Sequence, residues 1–165
     1  LRELGPLLTN FVVIARSGTA ISTELANMKV HGEVRALDAM GVDPFVYLVV
    51  PRVLGVAAST FCLTIIFLAV TFIGGFACMW VIELGDIDMG LFFGNIIGSV
   101  TVRDVFSLLA KSILPGMLTG AICCDEGLGA GAAVTDVPIA ATRGVMRSVA
   151  ALFLTSLLVS LMAYL

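Results

Sequence analysis

The chain has 165 residues, of which 59% are apolar and 13% are charged, with a formal net charge of −3. Soluble domains carry about a quarter charged residues, so the composition argues against a water-soluble globule and against a disordered segment. The slightly acidic balance provides no basic surface for nucleic acid. Composition therefore predicts an integral membrane protein, because lipid is the solvent that tolerates this much apolar surface.

The N-terminus and the cysteines constrain the class of protein further. The chain starts at Leu1 without Met or a cleavable basic leader, so we expect an N-terminal portion of a longer polypeptide to be missing. The four cysteines form no C-x-x-C pair and are distant in sequence from the single histidine, His31. Neither a metal site nor a disulfide framework is expected, and thiols that pack as small hydrophobic groups are the simpler interpretation.

The first predicted membrane span covers about residues 4–28. Arg16 and Glu24 interrupt it, so it cannot face lipid on all sides. Such intramembrane charges are functional candidates, but a structural ion pair explains them at least as well. Small residues recur at every fourth position and predict a stripe where another helix packs closely. They are Gly18, Ser22 and Ala26.

A polar stretch follows, in which residues 33–40 predict a short amphipathic helix that ends at Gly41 and Pro44. The apolar face has Val34, Leu37 and Met40, and the charged face has Glu33, Arg35 and Asp38. From the residues alone, two interpretations are equally supported. The helix is a connector on the membrane surface, or it docks into a groove on a soluble partner.

Three further spans are predicted, so the expected fold is an all-α, polytopic transmembrane helical bundle with four spans. The second, about 53–82, contains no charged residue and is long enough to cross the bilayer with tilt. The third, about 105–124, contains Lys111 and a kink at Pro115, and the fourth covers about 143–165. The predicted connections are an acidic loop at 83–88, an interfacial or re-entrant piece at 89–102 and a Gly/Ala-rich loop at 125–142.

The distribution of lysine and arginine predicts the orientation. It places the loops between spans one and two and between spans three and four in the cytoplasm. Three cations fall on the outer side against this bias: Arg2, Arg103 and Lys111. Ligand binding would explain a cation there, whereas the simpler interpretation is a side chain that snorkels to the headgroup layer.

No catalytic chemistry is predicted for this chain. The glycine-rich stretch at 127–131 lacks both the preceding strand and the Gly-Lys-Ser/Thr sequence that a phosphate-binding loop requires. His31 has no nucleophile in a recognisable catalytic pattern. We therefore expect neither a catalytic residue nor a cofactor in this chain.

Several motifs, in order and spacing, carry a resemblance to a known family. The first half contains Leu-Arg-Glu-Leu-Gly-Pro at 1–6, Ala-Arg-Ser-Gly-Thr-Ala at 15–20 and Glu-Val-Arg-Ala-Leu-Asp-Ala-Met-Gly-Val-Asp-Pro at 33–44. The second half is looser, with Lys-Ser at 111–112 and Ala-Ala-Thr-Arg at 140–143. Over essentially its whole length the chain resembles the MlaE/YrbE family of permeases, the membrane subunits of ABC transporters that move lipids together with MCE proteins.

The resemblance implies a complete assembly around this chain. Residues 1–165 would form a single, N-terminally incomplete permease domain in the bacterial inner membrane, paired with a second copy as a homodimer. ATPase subunits, which hold the ATP and Mg, would bind on the cytoplasmic side. An MCE protein would sit on the periplasmic side, and the cargo would be phospholipid.

The same resemblance implies roles for particular residues. The segment at 33–40 matches the family's coupling helix, which favours docking on the ATPase through Glu33, Val34, Arg35, Leu37, Asp38 and Met40. Arg2 and Glu3 match a charged pair near the outward-facing lipid cavity. Arg16, Glu24 and Lys111 receive no definite role. Two rival functions are an ion-coupled secondary transporter with Arg16 and Glu24 in the ion path, and a non-transporting membrane scaffold.

Overall fold

A computed structural model describes residues 4–82, 102–131 and 133–164, and every regular element in those ranges is helical. Two of the segments are π-helical turns, at Ile14–Gly18 and Phe45–Val49. The α-helices are α1 (Leu4–Val13), α2 (Thr19–Val30), α3 (Glu33–Ala39), α4 (Val50–Ile82), α5 (Val102–Gly129) and α6 (Asp136–Tyr164).

Within the described ranges, four stretches of helix are long and apolar enough to cross a membrane. They are Leu4–Val30, Phe45–Cys78, Phe106–Gly129 and Asp136–Met162. The first joins α1 and α2 through a π-helical turn, and the second joins a π-helical turn to α4. The all-α, four-span architecture predicted from the sequence is confirmed.

The helices extend beyond several of the predicted spans. The predicted loop at 125–142 is much shorter, because α5 continues to Gly129 and α6 begins at Asp136. The second span starts at Phe45 rather than at residue 53. Apolar length marks the part of a helix that suits hydrocarbon, whereas the backbone continues its hydrogen bonds into the polar region. The predicted acidic loop at 83–88 lies outside the described residues, as does all of the predicted piece at 89–102 except Val102, which begins α5.

Helix α5 packs closely against α4 because glycines on α5 remove side chains from the contact. A Cβ added at Gly120 would lie 3.0 Å from Val53 Cα, and one added at Gly116 would lie 3.3 Å from Ala57 Cα. Pro115, beside Gly116, is fully buried in the same helix. The backbones of α4 and α5 therefore approach each other closely at these two glycines.

Hydroxyl groups supply polar bonds across the same contact. Thr60 Oγ1 donates to the Ser112 carbonyl at 3.3 Å, and Thr64 Oγ1 lies 3.2 Å from Ser112 Oγ. All three side chains are buried. Because hydrocarbon offers no water as a substitute partner, such bonds satisfy polar groups that would otherwise be costly.

Candidate coupling site and intramembrane charges

The hairpin that connects α2 to α4 is shaped by two glycines. Gly32 precedes α3 with φ +78°, and Gly41 follows it with φ +77°. This left-handed conformation strains residues that carry a Cβ, so both positions favour glycine. Asp43 Oδ1 then accepts a hydrogen bond from the Phe45 amide at 2.9 Å, where the next helix begins. The short helix α3 is therefore held between two sharp turns.

The apolar face of α3 packs against the protein itself. Val34 and Leu37 contact a buried cluster that lies beneath the hairpin. The cluster consists of Leu25, Leu48, Val49 and Cys124. Both side chains are half-buried against the bundle, and their insertion into a groove on a partner stays a prediction. Their hydrophobicity is used to attach α3 to the bundle, because an apolar face is buried against whichever surface is nearest.

The remaining exposed side chains of α3 and of its C-cap are open to a partner. Glu33, Arg35 and Asp38 are exposed, and Met40 is 69% exposed at the end of the helix. These four residues are here called the outer face of α3. It offers both signs of charge beside one long apolar side chain, which suits recognition of a polar partner surface.

An ion pair joins the two helices that flank α3. Arg52 Nη2 on α4 lies 2.9 Å from Glu24 Oε1 on α2, and it also lies 3.9 Å from the Met28 sulfur. The Arg52 side chain is 20% exposed and that of Glu24 is 62% exposed. Glu24 thus forms a structural contact beside the hairpin, with a partner that lies 28 residues farther along the chain.

The three small residues of the first span lie where α2 meets α5 and α6. Ser22 Oγ donates to the Cys123 carbonyl at 3.0 Å, and a Cβ added at Gly18 would lie 3.1 Å from Cys123 Sγ. Ala26 is fully buried in a cluster with Ala130 and residues of α6. A Cβ at Gly127 would lie 2.9 Å from the Ser22 carbonyl oxygen, so small residues line both sides of this contact.

Lys111 lies inside the bundle. Its side chain is 5% exposed, and Nζ donates to Ser160 Oγ on α6 at 2.8 Å. The Lys111 carbonyl also accepts a hydrogen bond from Asn10 Nδ2 at 3.3 Å. This lysine links α5 to α6 and, through its backbone, to α1.

Arg16 differs from these paired groups. It occupies the π-helical turn at Ile14–Gly18, and its side chain is exposed. Within 4–82, 102–131 and 133–164, its guanidinium has no hydrogen-bond or ion-pair partner. Arg2 and Glu3, the predicted headgroup contacts, lie outside the described residues.

The end of the bundle that carries α3 contains further polar contacts. Lys29 Nζ donates to the Leu128 carbonyl at 2.5 Å, and Arg147 pairs with Glu126. In the described part of the chain, no group of three or more His, Cys, Asp or Glu side chains is arranged to hold a metal ion.

Comparison with known proteins identifies the family. The family model described as Permease MlaE matches residues 1–162. The chain belongs to the MlaE permease family. It is similar to a probable ABC transporter permease protein of Synechocystis, with 32% identity over 159 residues, which are 96% of this chain and 60% of the relative. A probable ABC transporter permease protein of Rickettsia typhi is 30% identical over 159 residues, covering 96% of this chain and 61% of the relative.

A plant relative extends the similarity within the MlaE family. The chloroplastic protein TRIGALACTOSYLDIACYLGLYCEROL 1 of Arabidopsis thaliana is 32% identical over 164 residues, which are 96% of this chain and 45% of that protein. The chain therefore spans about 60% of the length of its bacterial relatives and less than half of the plant one.

Proposed function

We propose that this MlaE-family chain is the membrane permease subunit of an ABC transporter that moves phospholipid or a related lipid between the inner membrane and a periplasmic MCE protein. The observation that carries the proposal is the family match over residues 1–162. The plant relative, whose name contains a galactolipid, supports lipid as the cargo class. The subunit is a transport component without a catalytic site, and it acts as a homodimer in a multi-pass membrane setting.

In this proposal the ATPase subunits hold ATP and Mg and contact the outer face of α3. The structure supports a mechanical role for α3, because Val34 and Leu37 fix it to the cluster beneath the hairpin. The ion pair of Glu24 and Arg52 joins the flanking helices. A displacement of α3 by the ATPase would therefore move the cytoplasmic ends of α2 and α4 together rather than bending the hairpin alone.

The lipid contacts are proposed from the sequence and from the exposed apolar surface. Arg2 and Glu3 would hold a headgroup, since the planar fork of an arginine matches a phosphate with two hydrogen bonds. Farther along α1, Leu4, Leu8 and Phe11 are 63%, 50% and 48% exposed. These side chains provide an apolar wall suited to acyl chains.

Purification of the full-length subunit from membranes tests the proposal. We expect a homodimer that retains an ATPase and an MCE protein, and that moves phospholipid in proteoliposomes when ATP is supplied. Transport driven by an ion gradient without an ATPase would establish the secondary-transporter alternative. A stable complex without ATP-dependent lipid movement would instead favour the scaffold.

The headgroup contact has its own test within the same assay. Arg2→Glu should lower the phospholipid retained per dimer and the transport rate, while Arg2→Lys should be intermediate because it keeps the charge without the fork. Association with the ATPase should be unchanged. Retention and transport at the unmodified level in Arg2→Glu would reduce Arg2 to an interfacial side chain.

A further inference from the structure

Two neighbouring helices fix the depth of Arg16 in the bundle. Glu24 contacts Arg52, so these residues share one level, and the α4 sequence that follows Arg52 has no charged residue through residue 82. Arg16 lies eight residues before Glu24 on the same span, which is roughly 12 Å along the helix axis. A Cβ added at Gly5, farther along, would lie 3.6 Å from the side chain of Leu68, so the first span runs antiparallel to α4. Arg16 therefore lies at the level of the uncharged part of α4.

The contact with α5 gives the same depth independently. A Cβ added at Gly18, two residues from Arg16, would lie 3.1 Å from Cys123 Sγ and 3.9 Å from Thr119 Cγ2. Along α5 these residues precede its first cytoplasmic charge, Asp125. Arg16 is thus a cation at hydrocarbon depth, whereas Glu24 lies at the edge of the hydrocarbon region.

Such a cation requires a partner. A charged side chain that faces lipid in the membrane interior is costly, and intramembrane charges face a cavity, a counter-ion or a ligand. Arg16 is exposed and has no such partner within the described ranges. It also occupies a π-helical turn, an irregularity that is frequent at functional sites.

The exposed surface on either side of Arg16 changes in polarity. Toward α1, at spacings of four residues, Val12 and Leu8 are 57% and 50% exposed. Toward the cytoplasm, Ala20 and Glu24 are exposed. The order is therefore apolar, then cationic, then small and acidic. This order matches an amphiphile whose anionic group lies at Arg16 and whose apolar chains lie along Leu8 and Val12.

We infer that Arg16 binds the phosphate group of a phospholipid on the exposed surface of the first span, at hydrocarbon depth, with the acyl chains directed toward Leu8 and Val12. The inference deepens the proposed lipid-transport function, on which it rests, by assigning a second headgroup contact 14 positions along the chain from Arg2. A guanidinium is suited to this task because it stays charged and offers parallel donors to two phosphate oxygens. Glu24 lies eight residues farther along the same span. Its negative charge repels a second anion nearer the cytoplasm.

The experiment titrates the purified full-length transporter complex with palmitoyl-oleoyl phosphatidylglycerol and, separately, with dioleoylglycerol, which lacks the phosphate. Native mass spectrometry reports the lipids bound per dimer. Arg16→Gln should weaken phosphatidylglycerol binding by at least about tenfold, which corresponds to a lost hydrogen bond to a charged group. Dioleoylglycerol binding should be unchanged. Arg16→Lys should fall between the two proteins, because it keeps the charge and loses the fork.

Arg143→Gln is the matched control, since Arg143 is an exposed arginine at the start of α6. It should bind phosphatidylglycerol like the unmodified complex. Addition of ATP distinguishes the source of the lipid. If phosphatidylglycerol is released on ATP hydrolysis, the lipid is cargo. If it is retained, it is a resident lipid. Either result is compatible with a contact between Arg16 and the phosphate.

Unchanged phosphatidylglycerol affinity in Arg16→Gln would overturn the inference. If that variant instead lowers the melting temperature of the lipid-free complex, the partner of Arg16 is a carboxylate from another part of the assembly. An unmodified complex that binds no phospholipid would contradict the proposed function itself. Normal phospholipid binding by the unmodified complex and by Arg16→Gln alike would contradict the Arg16 contact alone.

Discussion

The end of the bundle that carries α3 and the interior of the bundle are stabilised by different chemistry. At the end that carries α3, charged side chains pair with each other or with helix ends, as Glu24 does with Arg52 and Lys29 with the Leu128 carbonyl. In the interior, small residues and hydroxyl groups bring backbones together, as at Gly120 and Thr60. The difference follows from the solvent. Water screens exposed charges, so their ion pairs contribute little stability. In hydrocarbon, helices are held together by close packing and by polar groups that hydrogen-bond to each other.

The largest expected effect comes from a side chain added to the close contact between α2 and α5. Gly127→Leu would drive a side chain into the Ser22 carbonyl oxygen and Leu25 Cβ, each of which would lie 2.9 Å from a Cβ added at Gly127. We expect a loss of about 3 kcal/mol in stability, at the upper end for overpacking. The melting temperature of the detergent-solubilised complex measures it.

Gly129→Leu is the control for this prediction, because a Cβ at Gly129 meets nothing within 4 Å. Both substitutions place the same side chain two residues apart on α5. Equal melting temperatures for the two variants would show that α2 and α5 do not pack through Gly127.

The next effect tests the attachment of α3. Leu37→Asp places a carboxylate against the cluster beneath the hairpin, so we expect a loss of about 2 kcal/mol from removed packing and from desolvation. Ala36→Asp, at an exposed position on the same helix, should have little effect. Hydrogen exchange over residues 33–40 reports the loosening directly. Equal protection in the two variants would mean that Leu37 faces outward, as the docking interpretation supposed.

A smaller effect distinguishes partner contact from internal packing. Arg35→Glu reverses a charge on the outer face of α3 and touches no buried group, so stability should change by less than about 0.5 kcal/mol. Association with the ATPase should weaken by about tenfold, equivalent to about 1.4 kcal/mol. Binding is measured with purified ATPase subunit at two salt concentrations. Tight binding in Arg35→Glu would place the ATPase contact elsewhere.

The smallest effect is expected at the ion pair beside the hairpin. Glu24→Gln removes a carboxylate that is 62% exposed, so the cost should be about 0.5 kcal/mol and should diminish in high salt. The combined variant Glu24→Arg with Arg52→Glu should recover the loss. A loss of several kcal/mol in stability would show that the pair contributes as a buried contact does, rather than as an exposed one.

Apolar length and helical periodicity predicted the four spans and the helix at 33–40, because both patterns record which parts of a chain avoid water. They could not predict which surface buries Val34 and Leu37, since an amphipathic face has the same sequence whether it packs on its own bundle or on a partner. The loop at 125–142 was overestimated for a related reason. Glycine and alanine at these positions suit a loop, but they also suit close helix contacts of the kind seen at Gly127 and Ala140. The partners of Glu24 and Lys111 depend on residues distant in sequence, and only the fold brings them together.

Helix α5 contacts each of the other long spans, and this has a consequence for biosynthesis. Ser22 on α2 and Thr60 on α4 both donate to backbone carbonyls of α5, at Cys123 and Ser112. During translation the first two spans leave the ribosome before these carbonyls exist. The interhelical bonds therefore form only when the third span arrives, so a nascent chain that ends before residue 112 exposes the small, polar faces of α2 and α4 to lipid or to the insertion machinery.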